Sequence, residues 1–200
     1  MAQNTGNRQG RDRPRRKPRP LDAAKLEELA LAYVARFATS TGKLERYLKR
    51  KLYERGWEGR EDGADPPDVD ALVERYAERG YVDDAAYARM RSADLLRRGY
   101  GGRRVSQALG EAGVGEAARG AVAPSDHAAR EAALRLAEKR RFGPFAAAPV
   151  EREKREKQIA AMLRAGHTFD HARAVLDAAS PDAVRAWVAE AEERDDNGFA

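Results

Sequence analysis

Hydrophobic side chains recur along most of the chain at intervals of three and four residues, which is the spacing of amphipathic helices. The first stripe runs from Leu26 to Phe37 and follows a potential N-cap at Asp22; later stripes follow Ser40 and Asp68. Together with the glycines and prolines that end them, the stripes predict helices over about 22–38, 40–56, 68–80, 83–98, 102–113, 115–122, 125–141, 150–165, 169–179 and from 181 onward.

Three glycines reveal a longer period in the pattern. Gly56, Gly113 and Gly166 are each predicted to end the second helix of a three-helix group, and they lie 57 and 53 residues apart. An apolar residue stands four positions before each glycine, namely Leu52, Leu109 and Met162. The pattern predicts three tandem three-helix repeats that pack on one another and form an elongated, curved rod.

Composition supports an all-α fold, because β-branched residues are scarce and strong helix formers such as Ala, Leu, Glu and Arg dominate. The repeats then define the organisation of the whole chain. We expect a disordered basic tail (1–21), three repeats (22–80, 81–123 and 124–180), and a C-terminal helix with an acidic tail (181–200).

Charge is concentrated at the two ends of the chain. The net charge is +5 overall, +6 within residues 1–20 and −4 within residues 190–200. Three prolines and few apolar side chains in the first segment predict disorder. That segment is either a solvated tail or an electrostatic arm that contacts nucleic acid.

The lack of cysteines and of long apolar segments limits the classes of protein to which the chain can belong. The chain contains no cysteine, which excludes disulfides, zinc–thiolate sites and thiol nucleophiles. It also lacks an apolar run of roughly 18 residues and the apolar stretch of a secretory signal. We therefore expect a soluble cytoplasmic protein.

The sequence offers no convincing catalytic or metal-binding constellation. Asp83 and Asp84 form a carboxylate pair, but the start of a helix explains both as an N-cap and a residue that complements the helix dipole. His167 and His171 are spaced like zinc ligands without the glutamate of the His-Glu-x-x-His motif. The turn 99–102 does not match a nucleotide-binding P-loop. We expect no enzyme activity, no metal and no cofactor.

Basic clusters are the strongest candidates for a binding surface, with one cluster in each predicted repeat. The alternative is that they are solvated helix faces balanced by acidic neighbours. Arg103 and Arg104 stand out because they begin a helix, where free backbone N–H groups also attract anions. The full set of candidates is Arg46, Lys49, Arg50, Lys51, Arg97, Arg98, Tyr100, Arg103, Arg104, Lys139, Arg140 and Arg141.

Two stretches go beyond general patterns. They are ALAYVARFATSTGKL (30–44) and RGYVDDAAYARMRSADLLRRGYGGRRVSQALGEAGV (79–114). Together they resemble the RecX family of RecA regulators over about 22–115. The residues that carry the structural motif are Tyr33, Ser40, Leu44, Gly56, Asp83, Asp84, Tyr87, Gly113 and Gly166. The chain departs from the family pattern at Phe37, where an arginine is usual, and at Lys43, where a glutamate is usual.

The resemblance implies a regulator without enzyme activity. Such a protein lies in the groove of a RecA filament on single-stranded DNA, slows ATP hydrolysis and strand exchange, and mainly inhibits the recombinase. The implied partners are the RecA filament and single-stranded DNA, contacted directly or through RecA, and we expect a monomer. The alternative is a helical protein that binds nucleic acid alone, through units like helix-turn-helix modules.

Overall fold

The structure, a computed structural model, describes residues 19–197 except the side chains of residues 193 and 195–197. Within that range the fold is all-α, as predicted, and no strand forms beyond one isolated bridge between Leu21 and Trp57. The helices are α1 (Ala23–Arg36), α2 (Thr41–Arg55), α3 (Val69–Glu78), α4 (Asp84–Arg97), α5 (Gly102–Glu111), α6 (Glu116–Gly120), α7 (Asp126–Arg140), α8 (Arg152–Arg164), α9 (Phe169–Leu176) and α10 (Pro181–Asn197).

Side-chain caps fix where many of these helices begin. Asp22, Ser40, Asp68 and Asp83 each accept a hydrogen bond from the backbone N–H three residues later, at the start of α1 to α4. Ser125 does the same for α7. Asp and Ser side chains weaken a helix when they lie in its interior, because they hydrogen-bond to nearby backbone groups. At the N-cap the same kind of hydrogen bond stabilises the first turn.

The hydrophobic side chains form three separate clusters in chain order. The first core joins α1, α2 and α3 around Leu44, which is fully buried. The second joins α4 and α5, and it includes Tyr87 and Leu109. The third joins α7, α8, α9 and α10 around Met162. None of the helices in residues 19–197 is long and apolar enough to cross a membrane.

The first core extends further toward the N-terminus than the sequence indicates. Leu21, expected in the disordered tail, is fully buried in the first core. Its N–H donates to the carbonyl of Gly56 at 2.9 Å, and its carbonyl accepts from the N–H of Glu58 at 3.0 Å. A single leucine after several prolines shows no hydrophobic period, so the sequence pattern does not assign Leu21 to the core. Residues 1–18 of the predicted tail lie outside the described residues.

Helix ends from different cores meet at two close joints. In the first, the start of α2 lies on the end of α5, and a Cβ on Gly42 would stand 2.8 Å from Cα of Gly113. In the second, the start of α5 lies on the end of α8, and a Cβ on Gly101 would stand 2.4 Å from the carbonyl of Gly166. Only glycine permits such an approach of two backbones.

Hydrogen bonds run across both joints. The Ser40 hydroxyl donates to the carbonyl of Ala112 at 2.6 Å. The N–H of Gly101 donates to the carbonyl of Ala165 at 2.9 Å, and the N–H of Arg103 donates to the carbonyl of Gly166 at 3.2 Å. Polar groups at the end of one helix are therefore satisfied by the start of another.

Candidate nucleic-acid interface

A first depression lies between α4 and α5 and reaches the start of α2. It has a volume of about 340 Å³, and its lining includes Tyr87 and Tyr100. The charged side chains that line it are Lys43, Arg91, Arg98, Arg104 and Glu111. It therefore brings together cations from the first and second cores.

Two further depressions continue from the first. The second, of about 240 Å³, shares Arg98 and Tyr100 with the first and extends to the ends of α7 and α8. The third, of about 420 Å³, shares Arg140 and Phe142 with the second and extends along the start of α8. Because neighbouring depressions share lining residues, we treat the three as one surface and call it the basic groove.

The lining of the basic groove is strongly cationic. The lining contains ten basic side chains and one carboxylate, that of Glu111. The basic residues are Lys43, Arg91, Arg98, Arg104, Lys139, Arg140, Arg141, Lys154, Lys157 and Arg164. A surface of this charge attracts a polyanion such as a nucleic-acid backbone.

The basic side chains of the groove differ in whether a neighbouring carboxylate neutralises their charge. In the first depression, Asp94 pairs with Arg91 at 3.1 Å and with Arg98 at 3.6 Å. In the second and third, Lys157 pairs with Glu153 at 2.6 Å, whereas Lys139, Arg140 and Arg164 form no ion pair with any described residue. The part of the groove beside the third core therefore carries the larger uncompensated charge.

Several predicted binding residues lie in this groove, and others do not. The predicted residues inside it are Arg98, Tyr100, Arg104, Lys139, Arg140 and Arg141. Five groove cations were not predicted, namely Lys43, Arg91, Lys154, Lys157 and Arg164. Each of the five stands apart from the predicted clusters, and only packing between helices brings it to the groove.

The predicted cluster on α2 lies outside the groove lining and is largely ion-paired. Lys49 contacts Glu45 at 2.6 Å and Asp70 at 2.9 Å, and these hydrogen bonds raise the pKa of Lys49 to about 12. Arg50 and Lys51 both pair with the same carboxylate, that of Glu54, and Arg46 donates to a backbone carbonyl at the end of α5. Arg97 is exposed and also lies off the groove lining.

Arg103 and Arg104 diverge although they are adjacent. The side chain of Arg104 lines the basic groove, whereas Arg103 lines a separate depression beside α6. The expectation of free backbone N–H groups at this helix start is wrong, because Arg103 N–H donates to Gly166 and Arg104 N–H donates to Gly101. The joint with α8 occupies the positions that an anion would need.

The acidic pair and the two histidines take structural positions. Asp83 caps α4 as predicted, while Asp84 accepts hydrogen bonds from Thr41 of α2. Nε2 of His167 lies 3.0 Å from the carbonyl oxygen of Gly99, and His171 lies beside Asp126. Among the residues that the structure describes, no three His, Asp or Glu side chains form a group that could hold a metal ion.

Comparison with known proteins places the chain in a family. The regulatory protein RecX of Myxococcus xanthus is 35% identical over 173 residues, which cover 84% of this chain and 92% of the relative. The chain belongs to the RecX family. The regulatory protein RecX of Halorhodospira halophila is 31% identical over 140 residues, which cover 70% of this chain and 81% of that protein. No family model matches the chain.

Solved RecX structures share the fold. The crystal structure of RecX from Lactobacillus salivarius superposes with a TM-score of 0.58 at 18% identity, covering 78% of this chain and 96% of that one. A second crystal structure of a RecX regulatory protein gives a TM-score of 0.58 at 20% identity, covering 78% and 71%. The resemblance read from residues 30–44 and 79–114 is thereby confirmed at the level of the family.

Proposed function

We propose that this protein regulates the RecA recombinase, mainly as an inhibitor, by binding in the groove of the RecA filament on single-stranded DNA. Binding there slows ATP hydrolysis and strand exchange. The observation that supports the proposal best is the basic groove in a chain of the RecX family, since it collects cations from all three cores onto one surface.

The mechanism is mechanical and electrostatic. The three cores act as three tandem repeats in a curved rod, and the basic groove aligns that rod with phosphates and acidic side chains of the filament. A bound rod that contacts neighbouring RecA protomers holds them in a state with slow ATP turnover or blocks filament growth. We expect a cytoplasmic monomer that needs no cofactor and performs no chemistry of its own.

A second candidate function is binding of nucleic acid without RecA. The unpaired cations Lys139, Arg140 and Arg164 favour it, because each released counterion strengthens binding to a phosphate backbone at low salt. This candidate predicts tight binding that falls steeply as salt rises, with no effect on RecA.

The test is the ATPase rate of RecA on single-stranded DNA while this protein is added at substoichiometric amounts. The native chain, a chain without residues 1–18, and Arg140→Glu/Arg164→Glu are compared. The control is Arg75→Glu/Arg79→Glu, which makes the same charge change at exposed positions of α3 and its C-cap that line no part of the basic groove.

We expect the native chain, the shortened chain and the α3 control to slow ATP hydrolysis, and the groove variant to require at least tenfold more protein. If the groove variant inhibits as well as the native chain, the contact with the filament lies outside the groove, and the α2 cluster and Arg103 are the next candidates. Absence of inhibition by the folded native chain would remove the proposed function and favour the second candidate.

A further inference from the structure

We infer that the basic groove holds a single strand of nucleic acid directly, with unpaired bases stacked on the rings of Tyr100 and Phe142. The phosphates of that strand lie against the basic side chains around the rings. The inference rests on the proposed role of the groove as the binding surface, and it specifies which component of the filament the groove contacts.

The two rings stand at the two places where successive depressions meet. Tyr100 lines the first and second depressions, and Phe142 lines the second and third. Each ring is half-buried, because Tyr100 packs against the second core and Phe142 packs against the third. A ring held in this way loses little freedom when a base stacks on it.

Tyr100 and Phe142 occupy equivalent positions at the ends of two helices. The N–H of Tyr100 donates to the carbonyl of Leu95 at the end of α4, at 3.0 Å. The N–H of Phe142 donates to the carbonyl of Ala137 at the end of α7, at 2.9 Å. Both bonds span five residues, which is the pattern of a Schellman motif. The same kind of helix end therefore holds the backbone of both ring residues.

An arginine accompanies each ring at the same offset. Arg98 stands two residues before Tyr100, with its guanidinium carbon 5.5 Å from the ring centroid, and Arg140 stands two residues before Phe142. Both arginines line the same pair of depressions as their ring. Each pair thus places an arginine beside an aromatic ring, and aromatic rings among cations are what bind single strands without sequence preference.

The residue between the arginine and the ring reinforces this interpretation. At the first pair it is Gly99, with φ of 84°, but at the second it is Arg141, with φ of 55°. Arg141 is the one non-glycine residue with positive φ in the described part of the chain. A bulky side chain is strained there, so glycine would be the easier choice for folding alone. Arg141 instead adds a cation to the groove.

Stacking makes the surface selective for unpaired strands. Bases inside a duplex are already stacked on their neighbours, so a groove that relies on these rings binds a single strand more tightly than a duplex of equal length. A groove that uses charge alone favours the duplex, whose phosphates are more closely spaced.

The chain supplies a matched control for the two rings. Arg79-Gly80-Tyr81 repeats the same local structure, with φ of 73° at Gly80 and a bond from the N–H of Tyr81 to the carbonyl of Tyr76 at 2.9 Å. Tyr81 is 53% exposed but lines no part of the basic groove. A Tyr81→Leu variant therefore removes an exposed ring with the same backbone setting.

The experiment measures binding of a fluorescent oligothymidine and of a duplex of the same length to the full chain without RecA. We expect Tyr100→Leu and Phe142→Leu each to weaken binding of the single strand roughly tenfold. Duplex binding and the slope of affinity against salt should stay unchanged, because no charge is removed. Tyr81→Leu and Tyr100→Phe should bind like the native chain.

The conservative variant guards against a folding effect, since Tyr100→Phe keeps the ring and Tyr100→Leu keeps an apolar side chain in the second core. Native affinity in both leucine variants, or equal losses for strand and duplex, would overturn the inference. The proposed function is tested separately, because it fails only if the protein does not inhibit RecA. If the protein inhibits RecA but the ring variants bind single strands with native affinity, only the stacking is refuted.

Discussion

Asp84 at the start of α4 caps the start of α2, because its carboxylate accepts the backbone N–H and the hydroxyl of Thr41, each at 2.8 Å. The carboxylate therefore stabilises a helix of the first core from the second. We expect Asp84→Ala to lower the free energy of unfolding by about 1–2 kcal/mol, measured by urea denaturation.

The control for this prediction is Asp70→Ala, which removes an exposed carboxylate whose described ion pair is with Lys49. Its effect should stay under about 1 kcal/mol. Equal losses for the two variants would show that Asp84 contributes only as a surface charge.

Gly101 is expected to tolerate no larger residue. A Cβ there would lie 2.4 Å from the carbonyl carbon and oxygen of Gly166, so Gly101→Ala must push the start of α5 away from the end of α8. We expect a loss of about 1–3 kcal/mol in the free energy of unfolding. In contrast, Gly120→Ala meets no atom within 4 Å and should gain about 0.4–1 kcal/mol. A neutral Gly101→Ala would mean that the joint is loose in solution.

His167 makes stability depend on pH. Burial lowers its pKa below the ordinary value of 6.5, because the charged imidazolium is poorly solvated where the side chain is only 1% exposed. The unfolded chain then binds the proton more readily than the folded protein. Stability is therefore fully retained above about pH 6.5 and falls as the pH drops from there toward the folded pKa.

The check is thermal unfolding of the native chain and of His167→Gln between about pH 8 and pH 5. The variant should be less stable at the alkaline end, since it disturbs the contact with Gly99, and should lose less stability on acidification. Parallel pH profiles for the two proteins would show that the pH dependence of stability does not come from His167.

Arg130 and Arg135 on α7 offer a direct comparison of a buried and an exposed arginine, each paired with a partly exposed carboxylate. Arg130 pairs with Asp126 at 2.7 Å, donates to the carbonyl of Trp187 at 2.7 Å, and has a side chain only 11% exposed. Arg135 pairs with Glu131 and is 39% exposed. We expect Arg130→Ala to lower the free energy of unfolding by about 2 kcal/mol or more, and Arg135→Ala by under about 1 kcal/mol. Similar losses of unfolding free energy for the two variants would show that the contact of Arg130 with Trp187 adds little to the packing of α10 on α7.

Local sequence chemistry explains the part of the fold that could be predicted. A capping residue such as Ser40 or Asp83 acts within its own helix turn, and a glycine such as Gly113 ends a helix through its own backbone conformation. These effects operate over a few residues, so they are legible in one sequence, and the predicted helices match the observed ones closely.

The groove could be predicted only in part, because it depends on contacts between distant segments. Lys43 and Arg164 reach one surface only through the packing of α2, α5 and α8, and neither stands in a basic cluster of the sequence. The error at Arg103 has the same origin. A helix start offers free N–H groups until another helix end, here Gly166, covers it.

The joints also constrain how such a chain could change length during evolution. The carbonyl of Ala165 is satisfied by the start of α5, that of Ala112 by Ser40, and that of Gly56 by Leu21. A duplicated segment that carries both a helix start and a glycine-ended helix would reproduce one joint and keep every neighbour satisfied. A single added helix would leave a carbonyl without its donor. Gains and losses should therefore involve whole segments that carry both a helix start and a glycine-ended helix.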